Sequence, residues 1–409
     1  MGRFSDIPDV FTNENALRDD YEPEELLERE DEVDDLAAPL ESIAQGQRGG
    51  NVFVYGQTGL GKTLSTKKLL EELKEDVAEK PDHGIKVVWQ NCHSKSAYQA
   101  AIALANRMRD GDDEKIRAGY QKEEIHDMIW EGIRQSSESH IVFVLDEVDS
   151  IATDEDDGLL YQLSRAHENK DVDLGEKDLS IIGISNNFRF RENLDSATRS
   201  GLCETEVHFG PYNANQLRSI LHQRADEAFE EGVIGDAVIP KIAAEAARDT
   251  GSARHAIDIL HKAGVEARKQ RIETIDEELA AEAINLVQRG RIMDELRELP
   301  SQTHYVLAAI VSLSKQNTER PSTSEIYDRY QRIVKQFDGP GASVLSQRTI
   351  HNRLSDLSLS GFLSFRQVNK GKGGGMYNTY KLEMPRDPVE SVLEEESGVL
   401  GGAEQTELI

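Results

Sequence analysis

A parallel-sheet α/β domain, an all-helical domain after it, and a small module of three helices and a hairpin make up the architecture that the sequence predicts. Three observations predict it. Four short β-branched or aromatic runs alternate with helical stretches through the first half of the chain; apolar residues then recur only at three- and four-residue steps; and a locally basic stretch near the end closes on two strands around a glycine run. Continuous apolar strands separated by helices indicate a parallel sheet covered on both faces, whereas apolar spacing of three and four marks core-facing helices.

The elements follow in order. The first 18 residues are read as an N-terminal arm, and Asp19 to Asp35 holds eleven acidic residues around Tyr21, Pro23, Leu26 and Leu27, a solvated stretch leading into a helix near 34–43. Strands are expected at 51–55, 85–89, 141–145 and 179–184, and helices between them at 62–77, 97–109, 123–135 and 158–166. Together they form a core domain over 19–210. Helices at 213–229, 236–248, 253–268 and 276–288 make a second, all-α domain over 211–292. Helices at 303–314, 324–336 and 346–359, then strands at 362–368 and 376–382, give the order of a winged helix-turn-helix over 293–385. The acidic, glycine-containing stretch 386–409 is expected to be a disordered tail.

Composition narrows the function classes. The 409 residues carry 47 Lys and Arg against 76 Asp and Glu, a formal net charge of −29. So acidic a chain repels phosphate overall, but Ser301 to Pro385 has eleven Lys and Arg against six Asp and Glu. One module is basic inside an acidic protein. The acidic excess elsewhere reads as adaptation to a salty cytoplasm, with an acidic partner-binding surface as the alternative. No apolar run approaches the ~18 residues of a membrane span, and the first 20 residues lack a basic region followed by an apolar one. The two cysteines, Cys92 and Cys203, form no C-x-x-C pair, so neither a disulfide framework nor a structural zinc site is expected. A cytoplasmic protein with no membrane partner is expected.

The sharpest motif is Gly56-Gln57-Thr58-Gly59-Leu60-Gly61-Lys62-Thr63, which matches G-x-x-x-x-G-K-(S/T) directly after a strand and at the start of a helix. Its glycines let the backbone approach a triphosphate, and the helix N-terminus favours the negative charge. Lys62 is expected to reach the β- and γ-phosphates of ATP, and the Thr63 hydroxyl to ligate Mg²⁺. A second apolar strand ends in Asp146-Glu147. There Asp146 is expected to hold Mg²⁺ through water and Glu147 to accept the proton of the attacking water. Asp149 is read as a cap of the following helix. Asn186 ends the next strand, placed to orient that water, and Arg254 opens a helix of the second domain, placed to reach the nucleotide.

In these motifs and their order, the chain resembles an AAA+ ATPase, and more narrowly the archaeal replication-initiator family related to the eukaryotic origin-recognition complex and its helicase-loading partner. The resemblance runs from about Asp19 to Leu382. It rests also on Asp20-Tyr-Glu-Pro-Glu24 with Arg29, Asn91-Cys92, Leu159-Leu-Tyr-Gln-Leu163, Ile182-Gly-Ile-Ser-Asn186, Pro211-Tyr-Asn-Ala-Asn-Gln-Leu217 and the terminal winged helix. The resemblance implies that the second domain is a helical lid. It also makes Glu147 the hydrolytic glutamate, Asn186 the first sensor and Arg254 the second, and places Tyr212 and Arg224 at the nucleotide. Two positions depart from the family pattern. Asn187 stands where an aspartate is common, and Ala197 where an arginine is usual, with Arg199 two residues on.

In the basic module, Ile350, Leu354 and Leu357 fall on one helical face and Arg348, Asn352 and Ser355 opposite, with His351 near them. An exposed Arg/Asn face can enter the major groove, where Arg reads guanine and Asn adenine. Arg366, Lys370 and Lys372, on and beside the glycine-rich tip, suit phosphate or the minor groove. Winged helices also dock proteins; the basic balance favours double-stranded DNA. The resemblance implies a slow ATPase switch that binds replication origins, associates with the nucleoid and with itself on DNA, helps recruit the replicative helicase, and comes from a halophile. The competing reading is a related switch in transcription regulation, plasmid maintenance or repair. A metabolic P-loop kinase needs neither the lid nor the basic module.

Overall fold

The computed structural model describes residues 10–78, 80, 84–109, 115–151, 158–316, 318–336, 343–369 and 376–397. The chain divides into two compact units, 1–283 and 284–409.

The first unit begins with a 3-10 turn, Glu14–Leu17, then α1 (Glu30–Ala37) and α2 (Glu41–Ala44). The α/β part follows as β1 (Val52–Tyr55), α3 (Lys62–Ala78), β2 (Ile85–Asn91), α4 (Ala97–Met108), α5 (Lys122–Gln135), β3 (His140–Asp146), α6 (Gly158–Ser164), β4 (Asp178–Ser185), α7 (Phe190–Asn193), α8 (Ser196–Leu202) and β5 (Thr205–His208). All five strands are parallel, in the order β2-β3-β4-β1-β5. The central strands are apolar on both faces because helices cover both: Val52, Phe53 and Val54, and Ile141 through Leu145, are each fully buried. In register, Asp146 lies beside Asn91 on β2 and Ile184 on β4. The polar residues that end these strands are thereby gathered at one edge of the sheet, where such folds bind ligands.

The edge strand β5 lies outside the strands read from sequence. Its four residues bury only Val207, so Thr-Glu-Val-His carries little apolar signal. Helices α9 (Ala214–Ala228), α10 (Val238–Asp249) and α11 (Ala253–Gln270) pack next, and α12 (Glu277–Arg297) follows. The side chain of Asn213 caps α9, accepting from the Asn215 and Gln216 amides, while the Gln216 side chain accepts from the Asn213 amide in return. The N-terminal arm, where it is described, is docked rather than free. Phe11 is buried against Phe229, with ring centroids 4.9 Å apart, and Ala16 and Leu17 are buried. Gly264 in α11 admits it, since a Cβ there would lie 2.3 Å from the Phe11 ring.

The second unit holds α13 (Ser301–Lys315), α14 (Thr323–Gln336), α15 (Gln347–Leu359) and the antiparallel pair β6 (Leu363–Asn369) and β7 (Met376–Leu382). Its core joins Tyr305, Ile310, Ile326, Tyr330, Ile350, Leu354, Leu357 and Tyr380. One expectation is corrected here. Within the stretch read as a disordered tail, Arg386–Ser397 forms α16, which packs on α13 with Val389, Val392 and Leu393 buried. Those three have helical spacing, but the surrounding glutamates mask the stripe in any averaged composition. Among the described residues, no helix is long and apolar enough to cross a membrane.

Candidate nucleotide site and candidate nucleic-acid interface

The turn from β1 into α3 is made by Gly56, Gly59 and Gly61, with φ of 153°, 78° and 91°. A side chain has no room at any of the three: a Cβ on Gly56 would lie 2.4 Å from Phe209 O, one on Gly59 2.1 Å from Ser252 Oγ, and one on Gly61 2.8 Å from the Tyr212 hydroxyl. The backbone therefore curls tightly and leads its amides into the N-terminus of α3. Lys62 projects back over the loop. Its Nζ donates to Gly56 O, Gln57 O and Asn186 Oδ1, each at 2.7 Å. Burial lowers its pKa to about 8, against the pull of the Asp146 carboxylate.

Thr63 Oγ1 donates to Asp146 Oδ2 at 3.2 Å, and the Glu147 amide donates to Asp146 Oδ1 at 3.0 Å. Burial pushes the Asp146 carboxyl up, partly offset by those two bonds. Glu147 sits in the left-handed region, φ 54°, which turns the chain sharply at the strand end. Its Oε2 is 2.6 Å from His93 Nδ1. Asp149 is not at a helix cap, as expected from sequence, but inside the 3-10 turn Val148–Ser150, where its Oδ1 accepts from Ser185 Oγ at 2.7 Å.

The lid side of the cleft is tied to the phosphate loop by backbone. The Ala253 amide donates to Gly59 O at 3.0 Å, and the Tyr212 amide to Gly251 O at 2.9 Å. Arg254 lines the cleft with its Nε 3.2 Å from Asp19 Oδ1; both side chains are exposed. Arg224 is buried, donates to Ala16 O at 3.3 Å and lies over the Tyr21 ring, while its buried Nε has no hydrogen-bond partner among the described residues. Burial lowers the Arg224 pKa and raises that of Tyr212. The whole cleft has a volume of about 370 Å³ and takes in Thr58 through Thr63, Asp146, Glu147, Asn186, Tyr212, Arg224 and Arg254.

Every nucleotide-site residue expected from sequence except Gly56 and Gln57 thus lines one cavity, and those two bind Lys62 through their carbonyls. The stretch from Arg18 to Leu27 also contributes to the wall. Arg29, to which no role was given, is a buried crosslink. Its Nε donates to Leu60 O at 3.0 Å, its Nη2 to Gly210 O at 2.6 Å, and its guanidinium lies 3.6 Å over the Tyr212 ring. A lone arginine in an acidic stretch is the one sequence signal that marks it. His93 had no signal beyond standing near Asn91. Ala197 lies in α8, which is capped by Asp195, and Arg199 is exposed on it.

In the second unit, α15 buries Ile350, Leu354 and Leu357 and exposes Arg348, His351 and Asn352. Ser346 caps the helix, accepting from the Thr349 amide at 3.2 Å. Arg366 is exposed on β6. Lys370 and Lys372 lie outside the described residues.

Known proteins resemble this chain along its length. Residues 25–174 match an AAA ATPase domain, 218–285 a Cdc6 AAA+ ATPase-type lid domain, and 294–392 the CDC6 C-terminal winged helix domain. ORC1-type DNA replication protein 11 of Haloarcula marismortui is 38% identical over 96% of this chain and 93% of its own length. ORC1-type DNA replication protein 8 of Halobacterium salinarum is 37% identical over 95% and 97%. Among solved structures, Aeropyrum pernix ORC1 in complex with DNA superposes with a TM-score of 0.77 at 30% identity, covering 97% of this chain and 99% of that one. Aeropyrum pernix ORC2, in ADPNP–ADP complexes, has the same fold, with a TM-score of 0.61 at 20% identity over 97% of this chain and all of that one.

Proposed function

The chain belongs to the ORC1-type DNA replication protein family, an AAA+ ATPase with a Cdc6 lid and a winged helix, and we propose that it binds replication-origin DNA, uses ATP as a slow switch and helps bring the replicative helicase to the origin. The observation that carries the reading is the convergence of Lys62, Thr63, Asp146, Glu147 and Asn186 on one cleft, in a chain whose last module exposes Arg348 and Asn352. A relative with the same fold and 30% identity is itself a complex with DNA. Self-association on the DNA, and location with it at the nucleoid, extend the same reading.

The cleft residues divide the work. Loop amides and the start of α3 receive the triphosphate, and Lys62 exchanges the carbonyls of Gly56 and Gln57 for phosphate oxygens. Thr63 and Asp146, with facing oxygens 3.2 Å apart, form the hard donor set that suits Mg²⁺, which neutralises phosphate charge when bound. Glu147 takes the proton of the attacking water, Asn186 orients that water, and Arg254 faces the γ-phosphate from α11. Tyr212 and Arg224 meet the nucleotide on the lid side. Slow turnover is expected because Ala197 stands where the family usually has the arginine that a neighbouring subunit takes, the nearest being Arg199 two residues on.

Calorimetry and turnover on two variants test the site. Lys62→Ala is expected to abolish ATP binding, and Glu147→Gln to keep binding while blocking hydrolysis. Undiminished ATP affinity in Lys62→Ala rejects the assignment. For the cellular role, mapped binding sites should coincide with replication start points; sites confined to promoters reject the initiator reading.

A further inference from the structure

Strands β3 and β4 run side by side in register, Asp146 beside Ile184, and then separate into two different turns. One turn carries Asp146, Glu147 and Asp149; the other carries Ser185, Asn186 and Asn187. A single side-chain bond joins Asp149 to Ser185. Ser185, 1% exposed, donates from Oγ to Asp149 Oδ1 at 2.7 Å and accepts from the Asn187 amide at 2.9 Å. Its hydroxyl has one proton, so the longer approach to Asn187 O, 3.3 Å, is the alternative to the bond with Asp149 and not an addition to it. The peptide between Asn186 and Asn187 is thereby held from below, and Asn186 is left with its Oδ1 2.7 Å from Lys62 Nζ.

We propose that Asp149 is a positioning residue: through the Ser185 hydroxyl it fixes the turn that aims Asn186 at the phosphate loop. It ties the strand end that bears Asp146 and Glu147 to the strand end that bears Asn186, so that both move as one piece relative to a bound triphosphate. The inference rests on the reading of Asn186 as the residue that orients the attacking water. With Asp149 absent, the buried Ser185 proton turns to the Asn187 carbonyl, and the turn relaxes about the wrong acceptor. An asparagine at 149 keeps a carbonyl oxygen for the bond and loses only the charge.

The test uses the full chain, with single-turnover ATP hydrolysis, ATP affinity and thermal melting measured for Asp149→Ala, Asp149→Asn, Asn186→Ala and the Asp149→Ala/Asn186→Ala pair. Losing a hydrogen bond to a charged acceptor should slow turnover in Asp149→Ala by about tenfold or more. ATP affinity should hold, Asp149→Asn should restore most of the rate, and the double variant should be no slower than Asn186→Ala alone. A wild-type rate in Asp149→Ala beside a slow Asn186→Ala rejects the proposal and leaves the reading of Asn186 standing. A double variant that loses the product of the two single effects also rejects it, since the residues then act independently. A normal rate in Asn186→Ala overturns the reading of Asn186 and the proposal with it. Should Asp149→Ala fail to fold, Ser185→Ala removes the same bond from its smaller partner and is judged by the same measurements.

Discussion

Glu14 shows how a single charged residue fastens the start of the chain. Its carboxylate accepts from Arg268 Nη1 at 2.8 Å and meets His261 Nε2 at 3.0 Å, both on α11. The bond to Arg268, then that to His261, hold its pKa down at about 2 against an ordinary 4.5. A depressed carboxylate contributes stability that is fully present above about pH 4.5 and is lost as the pH falls from there through 2. The Glu14 and Arg268 side chains are each 33% exposed, so solvent screens the pair and the effect is modest. Acid unfolding of Glu14→Gln beside the parent chain measures it. The stability gap between the two should be constant near neutrality and shrink as the pH drops from 4.5 to 2. A gap that persists below pH 2 assigns the loss to packing around Phe11 instead.

At the scale of elements, legibility depended on how far apart the cooperating residues lie. The phosphate loop is an eight-residue pattern with its own strand and helix, so sequence spacing carries it whole. The three inner strands, β1, β3 and β4, are just as visible, since burial on both faces writes them as near-continuous apolar runs. The crosslinking role of Arg29 was not legible, because its bonds span 31 residues to Leu60 and 181 to Gly210. The Asp149–Ser185 bond is hidden for the same reason, and local spacing alone pointed to a cap. Helix α16 was missed for a different reason: three apolar residues sit in a stretch whose average composition is that of a tail. Their burial makes a prediction. At about 1.5 to 3 kcal/mol for each buried side chain, Val389, Val392 and Leu393 together contribute on the order of 5 kcal/mol, comparable to the whole margin of about 5 to 15 kcal/mol that holds a domain folded. A chain ending at Pro385 should therefore lose the cooperative melting of its second unit. If the truncated chain melts as the full one does, α16 is an accessory to that core.

For the whole molecule, the charge contrast bears on how the proposed DNA site would be chosen. A chain of net charge −29 repels a polyanion at long range, while Ser301 to Pro385 supplies a local excess of cations. Salt screens both terms. It also weakens the sequence-independent attachment most, because that attachment draws its free energy from counterions released by phosphate contacts. Binding in a saline medium must then lean on base edges and DNA shape. The exposed residues of the second unit divide accordingly. On the proposed reading, Arg348, exposed on α15, meets a base edge, and Arg366, exposed on β6, a phosphate. Arg348→Ala should cost roughly 1 to 3 kcal/mol and relax sequence preference, whereas Arg366→Ala should weaken all sequences alike and reduce the salt slope by about one unit. Footprinting of both variants across a salt series separates the two. If the variants weaken binding in the same way at every salt concentration, α15 does not read bases. If the full chain binds no duplex at any salt concentration, the winged helix serves another partner.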